Sequence, residues 1–369
     1  MILKRRIKTL ISIIKLNLII IIFKLSNPNS KIIFFYHPRK LLTFIHIDYI
    51  KDLFNQFKGK YLTLYGHGVD RLFEKNHFFI LQGYLKWIFN VDLFMSNNPC
   101  EVFTKNSTKI YMHHDIFDTP LVNVQNEKEF SNRLIKYDYI FLSSELSLKQ
   151  FSNLFEKNEK NQPIMKVVGY AKLDFIIKNF KSNFSKKNQL IIAPTNFYAY
   201  PELEITRHLK RIIERLLRNT NFNIVYRPHP SNRNDPKILE IKSFFKKNSK
   251  FYYDASDNYF ITYSESMFLI TDLSGTAYTY AFLTYNPVLF ISINEKYLKQ
   301  VNYTNLNYFR DREKIGLILE NENNIEDRLK QLSHEKQNFK RSILEVRNKI
   351  SYLESSKKRI RDIIETILV

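Results

Sequence analysis

The feature that most constrains this chain is a succession of short apolar runs, each closed by a polar break and most of them separated by helical pattern. KIIFF (31–35), YLTLY (61–65), 92–96, 109–112, YDYIFLS (137–143) and 165–168 are such runs, and Pro, Gly or His follows closely on most of them. Short apolar runs bounded by breakers read as fully buried strands, and their alternation with helices predicts a parallel sheet covered on both faces. A helix is expected over 144–157. The pattern pauses at the polar stretch KSNFSKKN (181–188), which reads as a linker, and then restarts. Strands are expected at 189–193, 223–226, 268–271 and 287–291, with helices near 202–219 and 277–284. Residues 325–369 hold neither Pro nor Gly and carry regular Leu/Ile spacing, which predicts helix throughout. The expected fold class is α/β. Its expected parts are a helical segment (1–30), two Rossmann-like domains (31–180 and 181–324) and C-terminal helices (325–369). A length of 369 residues also favours two cores over one.

Glycine narrows the function. The chain has seven, where average usage of about 7% would give roughly 26. They form neither GxGxxG nor GxxxxGK[ST], so the dinucleotide fingerprint and the Walker phosphate loop are both excluded. A single cysteine, Cys100, excludes an internal disulfide framework and any multi-cysteine zinc site. The formal net charge of +21 favours anionic partners: phosphorylated substrates, a phospholipid surface or nucleic acid. No zinc-finger spacing, RNP-like aromatic motif or helix-turn-helix stands out, so no nucleic-acid partner is expected.

Lys4, Arg5, Arg6 and Lys8 precede an apolar stretch from residue 10 to 23, broken by Lys15 and Asn17. This is short of the ~20 apolar residues of a spanning helix. No small-residue cleavage site follows Phe23. The expectation is a helix lying on an anionic membrane surface with its lysines reaching phosphate; a helix packed on the protein and a single span are the rivals.

In open parallel sheets ligands bind beyond the carboxyl ends of the strands, so the polar clusters there are the candidate sites. His113-His114-Asp115 offers a general base, an imidazole titrating near neutrality, or part of a metal site. No further metal ligands are evident, and none is expected. In Arg227-Pro228-His229-Pro230 the prolines restrict the backbone around two side chains suited to a diphosphate. Asp272-Leu273-Ser274-Gly275-Thr276 opens a helix, where backbone N–H groups and hydroxyls make an anion site; plain N-capping is the alternative. Ala193-Pro194-Thr195-Asn196 and Tyr36-His37-Pro38-Arg39 complete the set.

In order, KIYMHHDIFDTPL, YDYIFLSSE, KVVGYAKLD, IIAPTNF, VYRPHP and ITDLSGTAYTYAFLTYNPVLF resemble the CDP-glycerol glycerophosphotransferase family. That family includes the teichoic-acid glycerol- and ribitol-phosphate polymerases. The resemblance runs over about 31–291 and is closest from 109 onward. It implies a GT-B-like fold, two Rossmann-like domains facing across a cleft. It also implies transfer of a polyol-phosphate from a CDP-activated donor to a hydroxyl, releasing CMP.

On this resemblance His114 stands where the family has its acceptor-activating base, with His113 as second candidate. His229 matches the histidine that contacts donor phosphate, assisted by Arg227. Ser274 and Thr276 match the hydroxyl residues that bind the pyrophosphate, while Asp272 and Thr195 occupy matching positions. Two departures stand out: His113-His114-Asp115 replaces the family's histidine-glycine pair, and Gly275 replaces a second serine. The resemblance implies no required cofactor beyond the nucleotide-linked donor. The implied acceptor is a lipid-linked or cell-surface glycan. The implied location is the cytoplasmic side of the bacterial inner membrane, peripheral or anchored through the N-terminal helix. A GT-B glycosyltransferase using a nucleotide sugar in capsule or lipopolysaccharide assembly is the alternative function.

Overall fold

The computed structural model describes residues 2–37, 49–54, 57, 59–68, 77–113, 116, 127–155, 162–180, 188–198, 201–256, 258–300 and 306–369. His114, Asp115 and most of the expected linker 181–188 lie outside the described residues.

The chain divides into two compact units. The first comprises 1–114, 124–175 and 350–369; the second comprises 115–123 and 176–349. The first unit holds a seven-stranded parallel sheet: β1 (Lys31–His37), β2 (Tyr61–His67), β3 (His77–Phe79), β4 (Leu93–Ser96), β5 (Thr108–Met112), β6 (Tyr139–Leu142) and β7 (Ile164–Val167). Its order is β3-β2-β1-β4-β5-β6-β7. The second unit holds β8 (Gln189–Ile192), β9 (Asn223–Tyr226), β10 (Phe251–Tyr253), β11 (Phe268–Thr271), β12 (Val288–Ile291) and β13 (Gly316–Leu319), ordered β10-β9-β8-β11-β12-β13. Both orders follow the doubly wound pattern, so each sheet has a switch point where the direction of winding reverses, at β1/β4 and at β8/β11. Strands β4, β8, β11 and β12 are buried along their whole length, as sheets covered on both faces require.

Three strands escape the periodicity reading: β3, β10 and β13. Each sits at a sheet edge, where one neighbour suffices and the apolar run is correspondingly short. The helix expected near 202–219 begins only at Leu209, after a turn whose backbone is tied to a buried carboxylate. The tail is helical but not continuous: Ile325–His334, Lys336–Arg347 and Ser356–Ile367 are separate helices. Tyr352 and Glu354 adopt positive φ between the last two.

That break returns the chain to the first unit. The helix Ser356–Ile367 buries Ile360, Ile363 and Ile364 among Ile33, Phe35, Met95 and Ile110. Its start is fastened by the Asp174 carboxylate, which accepts from Glu354 N (2.7 Å) and Ser356 N (2.9 Å). Ser356 Oγ accepts from Tyr170 N at 2.8 Å. Gly169 has φ +83°, and a Cβ there would lie 2.3 Å from Ser356 Oγ and 2.5 Å from Ser351 O. Only glycine fits this crossing.

Candidate functional site

The carboxyl edge of the second sheet carries most of the expected site. At the β8/β11 switch point Asp272 is 3% exposed. Its carboxylate accepts from Thr195 N (2.8 Å), Leu273 N (2.7 Å) and Ile205 N (3.3 Å). Burial raises its pKa to about 6, and the backbone donors pull the other way. Asp272 thus joins the loop after β8 to the loop after β11, and Thr195, itself buried, is the residue it holds. Both act as positioning residues for the segments that leave these two strands.

The segment leaving β11 runs into the helix Thr276–Thr284, capped by Gly275 without a side-chain bond. Among the described residues Ser274 Oγ accepts one bond, from Thr276 N at 3.4 Å. Ser274 O accepts from Tyr308 Oη at 3.1 Å, and Thr276 Oγ1 is hydrogen-bonded to buried Tyr263 Oη. A Cβ on Gly275 would meet nothing within 4 Å, and its φ of −57° suits any residue. The helix start therefore combines the positive end of a helix dipole, a serine hydroxyl and open space.

At the end of β9, next to β8 in the sheet, His229 Nδ1 accepts from Ser231 N at 3.2 Å. The proton of the neutral ring is then on Nε2, which is a donor. Burial, with the charge of Arg233, lowers the pKa of His229 to about 4, so the ring is neutral at pH 7. Both terminal nitrogens of Arg227 are bonded within the second unit. Its guanidinium donates to Asp254 Oδ2 (2.6 Å), Ser256 O (2.9 Å) and Ser256 Oγ (3.2 Å). Burial alone would raise the pKa of Asp254, but bonds from Ser256, the Arg227 charge and the Thr262 hydroxyl hold it below the usual carboxylate range. Arg227 thus braces the β9 and β10 ends beside His229.

Sequence reasoning missed Ser231, Asp254, Ser256, Tyr263 and Tyr308, which bond the expected residues, and Thr262, which bonds Asp254. Asp254 was hidden because the strand before it, β10, was not read as one. Asn232 was also missed: it is buried, and neither its Oδ1 nor its Nδ2 has a hydrogen-bond partner among the described residues.

In the first unit His113 follows β5. It is buried, with its ring 4.9 Å from Phe151 and 6.2 Å from Tyr111, centroid to centroid. That is the setting of a packed imidazole. At the β1/β4 switch point His37 Nδ1 lies 3.1 Å from Asn97 Oδ1. Burial lowers the pKa of His37 to about 3, opposed by the Asn97 bond and aided by His67 and His77. Among the described residues no three His, Cys, Asp or Glu side chains are grouped to hold a metal ion.

The profile of CDP-Glycerol:Poly(glycerophosphate) glycerophosphotransferase matches residues 77–368. Among solved structures, the wall teichoic acid polymerase TagF superposes with a TM-score of 0.61 at 18% identity, covering 99% of this chain and 98% of that one. A second TagF structure, with CDPG, gives 0.62 at 17% identity over the same shares. MnaA of S. aureus with UDP gives 0.63 at 13% identity, covering 92% and 97% of the two chains. No curated protein matches the sequence. These likenesses establish the fold as GT-B-like, with two parallel-sheet units, an N-terminal apolar helix and a helical C-terminal region.

Proposed function

The chain belongs to the CDP-glycerol:poly(glycerophosphate) glycerophosphotransferase family and is a transferase, and from this premise we propose a specific reaction. It moves glycerol- or ribitol-phosphate from a CDP-activated donor to a hydroxyl of a lipid-linked or cell-surface glycan, releasing CMP, on the cytoplasmic side of the membrane. The observation that carries the reading is the second sheet's switch point. There Asp272 holds two loops in place, and the ends of β9 and β11, which flank β8, present the neutral Nε2–H donor of His229 and the start of the helix Thr276–Thr284.

In this mechanism the acceptor oxygen attacks the phosphorus that carries the polyol. The new O–P bond forms as the bond from that phosphorus to the bridging oxygen breaks, and the electron pair leaves with CMP. Negative charge grows on the diphosphate oxygens as it does so. Fixed dipoles aimed at that charge stabilise the transition state more than the ground state. His229 Nε2–H, Ser274 Oγ, Thr276 and the first-turn N–H groups supply them, and Gly275 leaves room for a close approach. His114 takes the proton of the attacking hydroxyl. No resident cofactor enters the proposal.

The test is turnover of radiolabelled CDP-glycerol and CDP-ribitol, with CMP and a labelled acceptor product as readouts. His229→Ala and Ser274→Ala should each lower kcat/KM by roughly 10²–10³-fold. Turnover of nucleotide sugars alone would replace this reading with a glycosyltransferase.

A further inference from the structure

The carboxyl edge of the first sheet holds a polar atom that the proposed chemistry leaves unused. β1 and β2 end on His37 and His67, paired in register, and buried Asn97 follows β4. Register puts Tyr36, Ser96 and Tyr111 in one row across β1, β4 and β5. His37 and Asn97 lie one residue past that row, and His113 lies two past it. With strands about 4.8 Å apart, His37 is about 10 Å along this edge from the end of β5, where the His113-His114 run leaves the sheet. The backbone here is satisfied: His37 O accepts from Gly68 N and His67 O from Ile80 N, each at 2.9 Å.

The His37 side chain is only half satisfied. It is 8% exposed, and its Nε2 is buried with no hydrogen-bond partner among the described residues. Its Nδ1 lies 3.1 Å from Asn97 Oδ1, which also accepts from Asn98 Nδ2 at 3.3 Å. An amide nitrogen only donates, so the Asn97 atom between them is the acceptor oxygen, and His37 Nδ1 carries the ring proton. Nε2 is left with a lone pair. Burial is the main influence lowering the pKa of the ring to about 3, so this lone pair stays unprotonated at neutral pH. A buried acceptor without a donor is costly, and proteins seldom leave one unless water or a ligand completes it. This one stands at the β1/β4 switch point, where open parallel sheets take their ligands. An anionic phosphate oxygen would be repelled by the lone pair, whereas a hydroxyl matches it. So weak a base suits a hydroxyl that keeps its proton, not the one that attacks.

We propose that His37 Nε2 accepts a hydrogen bond from a hydroxyl of the acceptor beside the attacking one, so that the first unit selects acceptors that carry this second hydroxyl. His37 is then a specificity residue, and Asn97 is the positioning residue that sets its tautomer. The inference rests on the reading of the chain as a transferase acting on hydroxyl groups, and it adds what chemistry the acceptor must show.

The test uses the full chain, CDP-glycerol as donor and two soluble acceptors, glycerol phosphate and propanediol phosphate. Both offer a terminal primary hydroxyl and a phosphate; they differ only in the neighbouring hydroxyl. Wild type should favour glycerol phosphate in kcat/KM by roughly tenfold or more. His37→Asn keeps a donor for Asn97 Oδ1 but lacks Nε2. It should bring the two acceptors within about twofold of each other while the KM for CDP-glycerol stays unchanged. His37→Gln, whose amide oxygen reaches the place of Nε2, should restore part of the preference. A second readout needs no turnover. The nitrogen NMR resonance of unprotonated His37 Nε2, assigned by its loss in His37→Asn, should move upfield with glycerol phosphate and stay put with propanediol phosphate. Equal kcat/KM for the two acceptors in wild type, an undiminished preference in His37→Asn, a proton found on Nε2, or a resonance that ignores both acceptors would overturn the inference. Failure of CDP-glycerol to turn over at all would count against the functional reading, and the resonance would still decide this one.

Discussion

The two sheets share a strand order, yet their central strands are joined by opposite chemistry. In the first unit a neutral His37–Asn97 pair links the ends of β1 and β4. In the second, at the equivalent place, a buried carboxylate links the loops after β8 and β11 through three backbone N–H bonds. One link is a neutral pair drawn into the interior. The other fixes a helix start that carries hydroxyls and, at Gly275, open space. A shared fold therefore says where ligands bind, while the two or three residues after each strand decide which ligand chemistry each unit offers.

Four predictions sharpen or break this contrast. The largest expected effect is on the acceptor side: His114→Ala should lower kcat roughly 10²–10⁴-fold with donor binding intact. His113→Ala should instead act on stability, by roughly 2 kcal/mol, through the cavity left beside Phe151. Urea unfolding alongside steady-state kinetics separates the two; equal kinetic losses would break the assignment. Next, Gly169→Ala should cost at least about 1–2 kcal/mol from the left-handed φ alone, before the clash with Ser356 is counted. Loss of the tail helix's protection in hydrogen exchange is the readout.

The third prediction concerns pH. His37 has a folded pKa near 3, below the usual value, so its contribution to stability is present above about 6.5 and is lost as pH falls through 3. Asp272 has a folded pKa near 6, above the usual value, so its contribution is present below about 4 and is lost as pH rises through 6. Between pH 4 and 6 the stability difference between wild type and His37→Asn should therefore grow with pH, and that for Asp272→Asn should shrink. Slopes of the same sign would contradict the contrast between the switch points. The smallest effect is Gly275→Ser, which restores the family's second serine. Open space and an ordinary φ predict a stability change within about 0.5 kcal/mol, by thermal melt.

Most of the fold was legible because buried parallel strands announce themselves as apolar runs. β8 and β11 read almost to the residue. The edge strands β3 and β10, three residues each, were not legible, since one flanking strand leaves too little apolar sequence to stand out. The site was legible as motifs but not as tasks. Arg227 looks like a phosphate ligand from its spacing; its counterion Asp254 lies 27 residues away and only the sheet brings them together. The tautomer of His229 was equally hidden, because it depends on the direction of one backbone N–H, that of Ser231. The seating of the N-terminal helix Ile2–Ser26 on the first unit was half legible. Its apolar and basic content shows in the sequence, but the bonds at Arg5, Thr9, Asn17 and Lys24 reach partners far along the chain.

The central claim is that the second unit holds a CDP-activated donor through His229 and Ser274. Its most direct test is a thermal-shift titration with CDP, CDP-glycerol, CDP-ribitol, UDP and UDP-sugars on wild type and three variants. At one hundred times its dissociation constant a ligand stabilises by about 2.7 kcal/mol. The account predicts stabilisation by CDP and a CDP-polyol, lost in His229→Ala and Ser274→Ala and retained in His114→Ala. Stabilisation by UDP-linked compounds alone, or by CDP undiminished in His229→Ala and Ser274→Ala, would contradict it.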